Sequence, residues 1–274
     1  MSAFDKQQLA PRTKEVAEAT EPMLYLSNTR GVYADVLNGR RTICQSCPSL
    51  VLGLDGVLTL NGKTTRSFLV KAGTRMQLTA MKPCHVAIVL LDIGDIDYAT
   101  VAGSMCAGTP ALFHDYKYET ALIHTITDAL ESRVSITEMI KGLLRVISLP
   151  PQQKQMALID AGVSGLLAFI RLNPAVELPL KSIAKVESMT IQALEARFYQ
   201  ATGLTIEAYQ WWRRLFETIY HFRDGISLNK AIVKGGFHST ARFKQHLVIH
   251  FGKESLHLMH QRSNIVMNRF GKTL

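Results

Sequence analysis

The residues best equipped for chemistry lie near the C-terminus, in the stretch GGFHSTARFKQHLVIHFG, residues 235–252. Thr240, Arg242, Lys244 and Gln245 follow Ser239 within it. Arginine and lysine donate to phosphate oxygens and guanine edges, and glutamine pairs with adenine, so this set suits a helix lying in a major groove. The helix itself is implied by spacing. Phe243, Leu247 and Phe251 recur at i, i+4 and i+8 and would hold one face against a core. Ser239 is placed as the N-cap, Gly235-Gly236 as a turn able to take positive φ, and Phe237 as the core residue beneath that turn. A second set of similar chemistry occurs upstream, at Gln192, Glu195 and Ala196, with Ile191 beside them. Gln192 can read adenine and Glu195 can accept from cytosine N4, although Glu195 would repel phosphates if it lay off the groove floor. Between the sets runs Trp211-Trp212-Arg213-Arg214. Either arginine can touch a phosphate or pair internally. The tryptophans are expected in the core, since duplex DNA offers no splayed base to stack on. Any one of these side chains alone also fits a solvated helix face; two such helices in one chain fit it less well.

Other constellations are weaker. The cysteines are Cys44, Cys47, Cys84 and Cys106. Cys44-Gln-Ser-Cys47 has metal or redox spacing, but i and i+3 point to opposite faces of a strand, so free, structurally incidental thiols are expected. Metal-dependent barrel enzymes need a His-x-His pair with further ligands, and His85 is the only histidine between residues 24 and 112. No catalytic residue, cofactor or metal ligand is therefore assigned. Arg40, Arg41, Lys63, Arg66, Lys71, Arg75 and Lys82 stand against Asp55 as the one acid in the same stretch. Arg40, Arg41, Arg66 and Arg75 are the candidate contacts for a small anionic effector such as a carboxylic acid, a fatty acid or a cyclic dinucleotide. The bland alternative is that these cations are solvated or offset by Glu15, Glu18, Glu21 and the acids between Asp92 and Asp97.

The net charge is +9, and residues 171–274 hold 15 basic against 7 acidic side chains, which is +8 of that total. A basic half joined to a near-neutral half points to a polyanion, with double-stranded DNA first in line. The longest apolar run, Val86–Leu91, falls far short of the roughly 20 residues a membrane helix needs, so no membrane partner is expected. The first residues lack the apolar core of a secretory signal, and the expected location is the cytoplasm.

The elements that must position these residues divide at Leu149–Gln155, where two prolines and a polar run break the pattern. Residues 1–150 form the first expected domain. Its strands lie over 24–112, with alternating runs at Leu50–Leu54, Val57–Leu60 and Phe68–Val70 and a hairpin turn at Asn61-Gly62. Helices follow over 116–147, with Leu122, Ile126, Leu130, Val134, Ile140, Leu143 and Leu144 as apolar stripes, and Ser135 with Glu138 as a capping box. Those stripes could serve the core, a homodimer surface or both. Residues 156–274 form the second domain, all helical: Met156–Leu172, Leu180–Glu187, Thr190–Thr202, Thr205–Phe222, Ser227–Lys234 and Ser239–Phe251. A short helix, tight turn and longer helix occur twice, at 180–202 and 227–251, which is the helix-turn-helix pattern.

Over residues 160–260 this half resembles the AraC/XylS family of bacterial transcription regulators. The resemblance rests on Ile183-Ala184, Met189-Thr190, Leu194, Phe198, Thr202-Gly203 and Tyr209, with Arg213 or Arg214 following. In the second unit it rests on Ser227-Leu228, Ala231-Ile232, Gly236-Phe237, Ser239, Phe243, Leu247 and Phe251-Gly252. Departures from the family pattern are the reversed Ala231-Ile232, Ser188 where a turn glycine is common, and Ser255–Met259 in place of a Pro, Tyr and Arg ending. The resemblance implies an α+β two-domain protein: an N-terminal cupin-like β-barrel that senses and dimerises, and an all-α double helix-turn-helix head. It implies a non-enzymatic, sequence-specific DNA-binding regulator, an activator that recruits RNA polymerase. The rival readings are a cupin-type small-molecule binder or enzyme with a basic tail, and a constitutive DNA binder with no ligand.

Overall fold

The computed structural model describes residues 21–27, 30–91, 93, 97–109, 111–147 and 161–267. The expected boundary at Leu149–Gln155, the first residues of the helix expected from Met156, and Glu15, Glu18 and Asp92 lie outside that set.

The N-terminal half is built on two long strands, β2 (Gly31–Cys44) and β7 (Arg75–Leu90), paired antiparallel along nearly their whole length. Their register shifts between Leu37 and Gly39, splitting each into an upper and a lower part. β1 (Met23–Leu26) lines the outer edge of β2, and β3 (Ser49–Gly53) pairs with the upper part of β7. β4 (Leu58–Leu60) and β5 (Lys63–Thr65) form a hairpin attached through β4 to the lower part of β7. Its turn is the expected one: Asn61 and Gly62 take φ of 50° and 81°, the paired positive φ that matches strand twist. β6 (Ser67–Val70) pairs with β3, and after α1 (Asp97–Gly103) the strands β8 (Cys106–Thr109) and β9 (Leu112–His114) complete the far edge.

Two helices cover one face of this sheet, α2 (Glu119–Glu131) and α3 (Ile136–Ile147). Leu122, Ile126, Met139 and Leu143 are buried with Leu50, Leu52, Leu69, Ala87 and Val89 of the strands. Leu130, Val134 and Ile140 are only partly buried against that cluster. The capping box forms as expected: Ser135 N donates to Glu138 Oε2 at 3.0 Å, and Glu138 N donates to Ser135 Oγ at 3.3 Å.

The C-terminal helices are α4 (Ala161–Leu172), α5 (Leu180–Val186), α6 (Ile191–Thr202), α7 (Ile206–Arg223), α8 (Leu228–Lys234) and α9 (Thr240–Phe251). A short strand, β10 (Ile265–Met267), then returns to the N-terminal half and pairs parallel with β1.

The sheet order is β10-β1-β2-β7-β3-β6-β9-β8, with the β4–β5 hairpin off that path. This corrects the expected barrel: among the described residues the sheet is open. The reason is visible in its cores. The face opposite α2 and α3 merges with the C-terminal helices, so that Tyr33, Ile43, Val51, Phe68 and Ile88 share one core with Leu194, Trp212, Phe243 and Phe251. Strand side chains such as Leu58, Leu60, Met76 and Leu78 fill that same core, and neither edge strand, β10 or β8, pairs back onto the other. The same arrangement explains why residues 86–91 form an unbroken apolar run, since Val86–Leu90 is buried on both sides.

Candidate nucleic-acid interface

Each helix-turn-helix is assembled by a small number of local devices. In the first, α6 is capped by Thr190, whose side chain accepts from Ala193 N at 3.1 Å. The turn before it is made by Ser188 at φ 53°, so a serine holds the left-handed conformation that glycine would adopt at less cost. In the second, Ser239 caps α9 by accepting from Arg242 N at 3.2 Å. Its two turn glycines have different tasks. Gly236 takes φ 86°. Gly235 does not; a Cβ there would lie 1.9 Å from Thr218 Oγ1, so its bare backbone is what lets α8 pack on α7. Phe237, Phe243, Leu247 and Phe251 are all buried, as their spacing requires.

The remaining faces of the two longer helices are open. Gln192, Glu195 and Ala196 are exposed on α6. On α9, Arg242, Lys244 and Gln245 are exposed and Thr240 is half-buried beside its cap. The connecting helix α7 supplies neighbouring groups. Trp212 is buried as expected, but Trp211 is only partly so and forms a platform. Over its ring lie the guanidinium of Arg242 at 4.5 Å and that of Arg214 at 4.6 Å, with His246 stacked at 5.2 Å. The indole Nε1 donates to Glu207 at 3.0 Å. Burial and then the nearby Arg242 charge hold the His246 imidazole below its ordinary pKa. Trp211, expected in the core, is thus only partly so, and its pairing with Arg242 and His246 leaves no trace in the sequence beyond the i, i+4 spacing of those two.

The arginines after Trp212 diverge. Arg214 Nε donates to the Pro174 carbonyl at 2.9 Å, fastening α7 to the segment after α4. Arg213 is half-buried, with its guanidinium 5.3 Å from the Phe216 ring.

The far end of α9 is not open. His250 is fully buried and its Nδ1 donates to the Cys44 carbonyl at 2.7 Å, across to the end of β2. Burial drives the imidazole pKa down to about 3, so it is neutral. Gln45 returns a hydrogen bond to the His250 carbonyl, and the Tyr33 ring packs 4.8 Å from Phe251. Arg41, buried, bonds Asp35 at 2.8 Å and reaches Glu254 at 3.2 Å. Burial works against the Arg41 charge, but Asp35, Tyr33 and Glu254 together offset it, and the guanidinium pKa is raised. No sequence signal marked His250 for this role.

The candidate effector cations are therefore dispersed. Arg41 faces the junction with α9, and Arg66 donates to the Leu54 carbonyl at 2.7 Å. Arg40 and Arg75 are exposed on the opposite face of the β2–β7 pair, aligned with Thr79 and Cys44 respectively. All four cysteines are free thiols: Cys47 and Cys84 buried, Cys44 half-buried, Cys106 exposed. No described helix is long and apolar enough to cross a membrane.

No protein-family model and no curated protein sequence matches the chain. Its fold is shared with solved structures. The crystal structure of ToxT from Vibrio cholerae O395 aligns at TM-score 0.53 and 11% identity, covering 85% of this chain and 99% of that one. ToxT from the same strain bound to (E)-4-(8-methylnaphthalen-1-yl)but-3-enoic acid aligns at 0.52 and 10% identity, covering 84% and 99%. Unsaturated fatty acid bound ToxT from strain SCE256 aligns at 0.50 and 10% identity, covering 80% and 91%. The chain thus has the fold of ToxT over most of its length.

Proposed function

We propose that this chain is a sequence-specific DNA-binding transcription regulator of the AraC/XylS type, acting as an activator in the cytoplasm. The observation that carries the reading is the pair of helix-turn-helix units joined by α7, each leaving the polar face of its longer helix uncovered. α6 presents Gln192 and Glu195 to base edges; α9 presents Thr240, Arg242, Lys244 and Gln245. The two helices enter successive major grooves about one helical turn apart on one side of the duplex. Arg213 is assigned to a phosphate contact, while Arg214 positions α7. An open sheet covered by helices on both faces disfavours the rival of a cupin-type enzyme. RNA polymerase recruitment, and a homodimer through the partly buried side chains of α2 and α3, belong to the same proposal.

The second part concerns control. An anionic effector, of the carboxylic acid class that the two ligand-bound ToxT structures carry, acts at Arg41. There Glu254, with 49% of its side chain exposed, already sits as an internal carboxylate on the guanidinium. An incoming carboxylate would replace it and alter how α9 is held; Arg40, Arg66 and Arg75 add positive potential around the strands. Footprinting of the whole protein on DNA upstream of its own locus, across a salt series, tests the first part. Protection of about two major-groove turns that weakens steeply with salt is expected; protection independent of sequence would sink it. Footprints unchanged by short and long carboxylic acids would leave a constitutive binder instead.

A further inference from the structure

The far edge of the sheet carries a group of donors unrelated to DNA reading. Cys106 of β8 stands directly across from His114 of β9, and Asp115 follows immediately. One donor atom from each lies within 4.8 Å of the others. Three local features hold them there. Asp115 takes φ 57°, a left-handed conformation that aspartate tolerates better than most side chains, and its carboxylate meets the His114 ring. Thr65 Oγ1 donates to Asp115 Oδ1, leaving Oδ2 for the imidazole, whose Nδ1 is 2.7 Å away. The opposite edge of the ring is packed on Gly108, where a Cβ would lie 3.3 Å from Cδ2 and 3.8 Å from Nε2. Nδ1 is therefore the nitrogen turned to the Asp115 carboxylate.

We propose that Cys106, His114 and Asp115 bind a borderline-soft divalent transition metal ion, of which Zn²⁺ is the type, through one sulfur, one nitrogen and one oxygen. Mixed thiolate, imidazole and carboxylate ligands select this class over Mg²⁺ and Ca²⁺, which take oxygen donors. The ion displaces the hydrogen between Nδ1 and Oδ2, leaving the imidazole neutral with its proton on Nε2, and the Cys106 thiol gives up its proton to solvent on coordination. Sulfur, nitrogen and oxygen bound at ordinary metal distances of about 2.0–2.3 Å sit closer together than 4.8 Å, so the side chains need only draw in. Lys63, whose Nζ is 3.9 Å from Asp115 Oδ2, is half-exposed and free to swing away. Three protein ligands leave a fourth position for water or an exogenous group. Spacing along the chain does not reveal the trio, because the strand pairing of Cys106 with His114 is what creates it.

Co²⁺ added to the whole protein supplies the test. A thiolate-to-cobalt charge-transfer band in the near ultraviolet, saturating at one equivalent, is expected; Cys106→Ser should abolish it and His114→Ala should weaken Co²⁺ binding by at least about tenfold. A band that survives Cys106→Ser, or no band at saturating Co²⁺, overturns the assignment. Zn²⁺ protection of unaltered protein reads the same site without any substitution. Zn²⁺ should slow iodoacetamide labelling of Cys106, mapped by peptide mass spectrometry, by about tenfold or more; an unchanged labelling rate overturns it. Neither readout depends on DNA binding, so this site and the regulator reading fail separately.

Discussion

Arg242 is held in place by the protein itself. Its guanidinium rests 4.5 Å from the Trp211 ring, on an aromatic surface shared with His246 and Arg214. An arginine so oriented loses less rotamer freedom when it makes two parallel bonds to a guanine. Arg242→Ala is therefore expected to cost about 1–3 kcal/mol of specific affinity and to relax preference at one base position, read by binding to a panel of single-base operator variants. Lys244 is exposed with no such platform and should behave as a phosphate contact. Lys244→Ala should weaken all sequences alike and lower the slope of log K against log salt by about one. The reverse pattern, with Lys244 changing base preference and Arg242 changing only the slope, would assign the two roles the other way round. At the turn, Gly235→Ala forces a Cβ into the Thr218 side chain and should destabilise the fold by about 1–3 kcal/mol in thermal or denaturant unfolding.

At the scale of elements, the helices of the C-terminal half were legible because each carries its own punctuation. Thr190, Thr205 and Ser239 sit where the caps form, and Gly203 closes α6 at φ 75°. The sheet was less legible. Short runs such as Phe68–Val70 and the Asn61-Gly62 turn stood out, but the 14 residues of β2 include Asn38, Gly39, Arg40 and Arg41 and do not alternate cleanly. A register shift interrupts β2 there, and Arg41 points inward because Asp35 is there to meet it. Closure could not be read at all, since a strand buried against helices and a strand facing a barrel lumen share one apolar pattern. The exposed polar faces of α6 and α9 were legible from residue types and spacing. Trp211 as the platform for Arg242 and His250 as the anchor of α9 were not, because each depends on partners far away in the chain. Ser188 offers a test at this scale. Ser188→Gly should stabilise the first unit by about 0.5–1 kcal/mol, less whatever freedom glycine adds to the unfolded chain. A loss of stability instead would mean that the serine side chain contributes there.

Across the whole molecule, the two halves meet at the end of α9, and that junction has a built-in proton dependence. His250 donates from Nδ1 to the Cys44 carbonyl in a fully buried setting, with Trp212 packed at 4.6 Å and His246 one turn away. Its folded pKa of about 3 lies below the ordinary value of 6.5, so between those limits the unfolded chain binds a proton that the folded one refuses. Stability must then fall as pH drops through that window, by up to about 1.4 kcal/mol per pH unit from this group alone, and be flat with respect to it above the unfolded value. Asp35, whose carboxyl is pushed up by burial, borders the same junction with Arg41 and Glu254, so the informative quantity is a difference. Unfolding free energy measured from pH 7 to pH 5 should decline more steeply in the unaltered protein than in His250→Gln, even if the variant is less stable at pH 7. Equal slopes would show that protonation of His250 is not what the fold resists. The same comparison bears on the proposed function, because His250 and the proposed reading residues Arg242 and Lys244 lie on one helix. Because the folded imidazole stays neutral down to about pH 3, mild acidification within the folded range should change operator affinity equally in the unaltered protein and in His250→Gln, measured at constant salt so that phosphate contacts contribute equally; an acid response lost in the variant would mean that the imidazole takes up a proton in the folded state.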